Sequence, residues 1–120
     1  PDEAIEQLKA AIAAATPAGV KAEYKHLHGA GPSLVNPDNQ FIRESALAME
    51  EVFGKKTVYI RSGGSIPIVG LFLTYLGLPS VLMGFGLPDD NLHSPNEKFH
   101  IPNFYNGIDA VVRYLERLGG

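Results

Sequence analysis

Two short stretches of this chain carry side chains whose types and spacing could do chemistry. One is RSGGS, Arg61 to Ser65; the other is GFGLPDDNLHSPNEKFH, Gly84 to His100, which holds two adjacent acids and two of the four histidines. In the first, Gly63 and Gly64 let the backbone approach a ligand closely. Ser65 is expected to open a helix whose free N–H groups, with the serine hydroxyl, can hold an anionic group. The same residues can equally be a helix cap and nothing more. They are not a phosphate-binding P-loop, because no Gly-Lys-Ser/Thr follows. In the second stretch, His93 stands directly before Ser94-Pro95-Asn96-Glu97, which has the form of a capping box. A capped turn would fix the direction of the imidazole, as a metal ligand or a general base requires. Asp89 and Asp90 can orient that imidazole or simply solvate a loop, and His100 reads as a surface residue. Ser65, Asp90 and His93 also occur in the order of an α/β-hydrolase triad. That reading fails because Pro67 stands where the nucleophile elbow needs glycine, and an Asp three residues before its His suits a triad poorly.

The elements that would position these residues follow from periodicity. Ile5, Leu8, Ile12 and Ala15 share one face of a first helix, with acids in its first turn where the helix dipole favours them. After Pro17-Ala18-Gly19, alternation puts Val20, Ala22, Tyr24, His26 and His28 on one side of a strand, where a single histidine could be a ligand or plain strand polarity. A loop follows, then a helix with Asn36 as its cap, Pro37 at its first position and Gly54 as its stop. Thr57–Arg61 and Ser80–Phe85 read as strands on either side of the helix SIPIVGLFLTYLG. Together they make a βαβ unit with a right-handed crossover, in a parallel sheet covered on both faces. Both strands of such a unit end at one edge of the sheet, so Ser65 and His93 would meet at one rim, where ligands bind. The last helix carries Phe104, Ile108, Val111, Leu115 and Leu118 as an apolar stripe.

Composition narrows the function classes. The 120 residues are 45% hydrophobic and 19% charged, which is globular and sized for one domain or a piece of one. Ten scattered Lys and Arg, with a net charge of −3, argue against nucleic acid as a partner. There is no cysteine, which excludes thiolate metal sites and disulfides and fits a reducing, cytoplasmic setting. Residues 62–88 hold no charge, but Gly77 and Pro79 break the run into a helix-length and a strand-length piece. A buried core is therefore expected rather than a membrane span. The chain opens on Pro1, so a processed or truncated start is expected.

Taken together, RSGGSIPIVGLFLTYLG, VLMGFGLPDDNLHSPNEKF and the upstream HGAGPSLVNPDN with ALAMEEVFG resemble the C-terminal part of the two-metal zinc peptidases and deacylases. This family includes cytosolic nonspecific dipeptidase, carnosinase, glutamate carboxypeptidase, acetylornithine deacetylase and succinyl-diaminopimelate desuccinylase, and GGSIP looks most like its dipeptidase branch. The resemblance implies an α/β fold: residues 29–120 as the C-terminal part of a three-layer αβα catalytic domain, residues 1–28 as the last helix and strand of an α+β lid. It implies His93 as a metal ligand, and Ser65, Gly64 and His28 as substrate-binding residues. Many dipeptidase relatives carry Glu where this chain has Ser62. Two divalent ions are implied, zinc by preference with manganese as the alternative. The other ligands and the general base lie upstream, so no catalytic residue is expected in this chain, which alone should be inactive. The implied reaction is cleavage of a small peptide next to a free carboxylate by metal-activated water, in a homodimer built through the lid. Deacylation of an N-acyl amino acid by the same machinery is the alternative, as is a non-catalytic module that binds a small anion.

Overall fold

The computed structural model describes residues 1–62 and 66–120. Its elements in chain order are α1 (Asp2–Ala15), α2 (Gln40–Phe53), α3 (Pro67–Leu71), which runs on into a π-helical turn (Phe72–Leu76), and α4 (Ile101–Gly119). They fall into two compact units: Pro1–Leu34 with Ser62–Leu78, and Val35–Arg61 with Pro79–Gly120.

In the first unit, α1 forms where the periodicity predicts, with Asp2 and Glu3 in its first turn and none of its residues buried. Lys9 pairs with Glu6 at 2.8 Å and lies 5.8 Å from the centre of the Tyr24 ring. α3 starts with Pro67 in its first turn and buries Val69. The π-helical turn ends at Gly77, whose left-handed φ of 65° closes it at the break expected from the sequence. The expected opening of this helix by Ser65 lies outside the described residues.

The second unit is built on two helices. α2 stops at Gly54, whose φ is 64° and whose N–H reaches the Glu50 carbonyl, as expected. Its start differs from expectation. Asn39, not Asn36, caps it by accepting from the Phe41 N–H, while the Asn36 side chain accepts from Asp38 in a preceding turn. Two Asx side chains compete for one helix start, and the one nearer the apolar run takes it. α4 packs against α2. Its covered face is Asn103, Gly107, Ala110, Tyr114 and Arg117, of which Gly107 and Ala110 are buried. The apolar stripe of Phe104, Ile108, Val111, Leu115 and Leu118 lies one step round the helix and is exposed. Close approach selects the small residues: Ala48 of α2 and Ala110 of α4 are both fully buried. Arg117 then reaches Glu44 at 2.7 Å and Glu51 at 2.5 Å across the pair.

Among the described residues there is no strand, so the βαβ unit expected over residues 57–85 is represented by its helix alone. Thr57 turns back on α2, its N–H donating to Glu50 and its hydroxyl to the Ala46 carbonyl, but Val58 and Ile60 stand 77% and 82% exposed. A strand needs a neighbour to take its backbone hydrogen bonds, and these apolar runs have none here. The surface area says the same. Two self-contained globules of half the 12.9 kDa mass would together expose about 7,600 Å², whereas this chain exposes 9698 Å².

The α2–α4 contact is therefore the main source of order in the second unit. Ala110→Leu should force the helices apart and cost about 1–3 kcal/mol, read as an earlier denaturant midpoint. An unchanged midpoint would mean that the small residues do not set this packing.

Candidate functional site

The loop that carries the ionisable residues leaves the α2–α4 pair at Phe85 and returns to it at His100. Phe85 stacks on Phe53 of α2 with ring centres 6.4 Å apart. Its ring also fills the space beside Gly107, where a Cβ would come within 3.3 Å of it. Asn103 of α4 holds both ends of the loop. Its Nδ2 donates to the Phe85 carbonyl at 2.9 Å, and its Oδ1 lies 3.2 Å from the Nδ1 of His100, which caps α4. The sequence reading of His100 as an exposed residue holds.

Between these anchors the chain makes two turns. In the first, Asp90 donates its N–H to the Leu87 carbonyl and accepts the Leu87 N–H on Oδ2 at 2.6 Å. In the second, Ser94 donates both its N–H and its hydroxyl to the Asn91 carbonyl. Lys98 closes the loop by donating its N–H to the Asp90 carbonyl at 3.0 Å, while its ammonium pairs with Asp89 at 2.5 Å.

The capping-box reading of Ser94–Glu97 is corrected here. No helix follows Pro95, because Asn96 takes a φ of 62° and Ser94 points back to Asn91 instead of forward. What fixes His93 is the backbone: Asn91, His93 and Asn96 all take left-handed φ values, of 54°, 60° and 62°. For a histidine this conformation is uncommon, and it persists only where surrounding bonds hold it. The His93 side chain is exposed and has no partner among the described residues. It could therefore offer an imidazole nitrogen to a group outside the loop.

Of the two acids that could orient the imidazole or solvate the loop, Asp89 is exposed and taken by Lys98, whereas Asp90 is buried at 1% exposure. Nothing in the sequence separated these neighbours, although Pro88 before them marks a turn in which an Asp side chain can bond the backbone. His28 belongs to the first unit and is exposed. Gly64 and Ser65 lie outside the described residues.

Among the described residues no group of three or more His, Asp or Glu could hold an ion. Among them His93 is a single imidazole with no second donor beside it, and a catalytic zinc site takes three protein ligands, so the described residues do not by themselves make one. No helix among the described residues is long and apolar enough to cross a membrane.

Comparison with known proteins gives a consistent likeness. The sequence pattern of peptidase family M20/M25/M40 matches residues 3–117. The Cys-Gly metallodipeptidase of Schizosaccharomyces pombe is 32% identical over 98 residues, which cover 82% of this chain and 21% of that protein. The human Beta-Ala-His dipeptidase is 34% identical over 87 residues, covering 72% of this chain and 17% of that protein. A solved structure of the dipeptidase Dug1p from Saccharomyces cerevisiae superposes with a TM-score of 0.65 at 35% identity, over 68% of this chain and 17% of that one. The chain thus spans about a fifth of the length of the relatives it matches.

The Asp89–Lys98 pair makes loop closure depend on pH. The hydrogen bond and charge of Lys98 hold the Asp89 carboxyl below its ordinary value, and Asp89 holds the Lys98 ammonium above its own. The pair's contribution is complete between the two ordinary values. It is lost in acid as pH falls through the depressed Asp89 value, and in base as pH rises through the raised Lys98 value. Both groups are in water, so the effect is small and screened by salt. Lys98→Gln should return the Asp89 titration, followed by carboxyl NMR, toward the ordinary carboxylate range. An unmoved titration would remove Lys98 as the cause.

Proposed function

The chain belongs to peptidase family M20/M25/M40, as the match over residues 3–117 shows, and from that premise we propose that it is part of a metal-dependent dipeptidase. The observation that carries the reading is the likeness to named dipeptidases over 72–82% of the chain. In this reading residues 29–120 are the C-terminal part of a three-layer αβα catalytic domain, and residues 1–28 end a lid through which two copies pair. Thr57–Arg61 and Ser80–Phe85 then become strands when the rest of the sheet supplies their neighbours. The enzyme is assigned to the cytoplasm and to two divalent ions, zinc first and manganese second.

His93 is assigned as a metal ligand. Its support is chemical: an exposed imidazole without a partner among the described residues, on a backbone that the loop's own bonds hold in one conformation. Bound metal would polarise the scissile carbonyl and lower the pKa of the attacking water. His93 supplies a nitrogen lone pair from a fixed direction, which limits the positions an ion can take. Gly64 and Ser65 are assigned to the substrate, the serine hydroxyl donating to its carboxylate or carbonyl, and His28 is assigned to the carboxylate end. The general base comes from outside this chain.

In the intact protein, His93→Ala should lose metal and most turnover while the fold survives, because an exposed loop side chain leaves no cavity. Metal analysis and thermal unfolding on the same sample check both halves, and an unchanged metal content would strike His93 from the ligands.

Ser65→Ala should act differently, leaving metal in place and lowering kcat/KM by about ten- to a hundredfold, the worth of one hydrogen bond to a charged group. A mutant with normal kinetics and reduced stability would instead make Ser65 a helix cap.

A further inference from the structure

Asp90 is the largest fully buried side chain among the described residues, in a chain whose other buried groups are mostly small. Three hydrogen bonds converge on it. Its N–H and Oδ2 meet the C=O and N–H of Leu87, and its own carbonyl accepts the Lys98 N–H, eight residues on. Between Asp90 and Lys98 lie Asn91, His93 and Asn96, the three non-glycine residues with left-handed backbone among the described residues. Gly86 lies beside the carboxylate, where a Cβ would touch Oδ2 at 3.4 Å. The second carboxylate oxygen, Oδ1, is buried without a partner among the described residues. A carboxylate half satisfied in this way is a poor source of general stability. Its bonds are local: they tie Asp90 to Leu87 and to Lys98, on either side of the three left-handed residues.

We propose that Asp90 is the positioning residue for His93, holding the loop closed at Leu87 and Lys98 so that the imidazole is presented in one direction. Asp90 does not itself meet the metal or the substrate; it acts through His93, and the proposal rests on the reading of His93 as a metal ligand. Of the two neighbouring acids the roles divide. Asp89 makes an exposed pair with Lys98 that adds little to loop closure, while Asp90 makes the buried bond to the Leu87 N–H.

The test uses the intact protein and two readouts: zinc retention against a competing chelator, and amide hydrogen exchange in residues 86–100. Asp90→Ala should weaken zinc retention at least tenfold and speed exchange in that segment, with exchange in α2 and α4 unchanged. Asp90→Asn, whose amide oxygen can still accept from the Leu87 N–H, should recover most of the retention. Asp89→Asn should leave retention within threefold of the parent. Should Asp90→Ala not fold, Leu87→Pro deletes the N–H that Asp90 accepts and must weaken retention in its place. The proposal is overturned if either variant retains zinc like the parent while His93→Ala loses it, or if exchange in 86–100 does not change. If His93→Ala itself keeps its zinc, the ligand reading fails on its own account, and the positioning of the loop is then decided by exchange alone.

Discussion

Gly107 has no side chain, and the ring of Phe85 occupies the space a Cβ would need. That vacancy sits on the face of α4 that also carries Ala110 and Arg117, so one helix face sets the contact with α2 and seats the start of the loop. Phe85 stacks on Phe53 at the end of α2, and Asn103 bonds the Phe85 carbonyl and lies beside His100. The loop is thus anchored at both ends to a packed pair of helices, which is the condition for a loop to hold a side chain in a defined place.

Within the loop, order comes from backbone bonding and not from burial. Only Asp90 is buried between residues 86 and 100. Every other side chain there is exposed, including the imidazole of His93. Three left-handed residues make the segment too irregular for a helix and too tight for a strand, and a loop of this kind depends on its few fixed bonds. An exposed histidine on a constrained backbone is well suited to meeting a partner that comes from another part of a protein.

The large apolar surface fits the family membership. The stripe from Phe104 to Leu118 and the runs around Ile60 and Leu82 face water here, and the chain matches about a fifth of its relatives' length. Exposed apolar area on this scale marks surface suited to covering by further protein. The proposed three-layer parent would give those surfaces their partners.

The sequence by itself determined the helices and several of their ends. The 3.6-residue periodicity of α1 and α4 and the glycine stops at Gly54 and Gly77 are local effects, decided by propensity and by φ, and they stand where the residues put them. The family was legible too, because GGSIP and HSPNE at their separation are specific. The expected strands stayed patterns, with no strand among the described residues: alternation marks a segment that suits a sheet, while pairing belongs to the neighbour as much as to the segment. The packed face of α4 was not legible, since periodicity ranks residues by apolarity and the contact selected small ones that let the helices approach. Nor did the sequence separate Asp89 from Asp90. Two identical side chains, one residue apart, end up in water and in the interior because only the folded turn brings the Leu87 N–H to one of them.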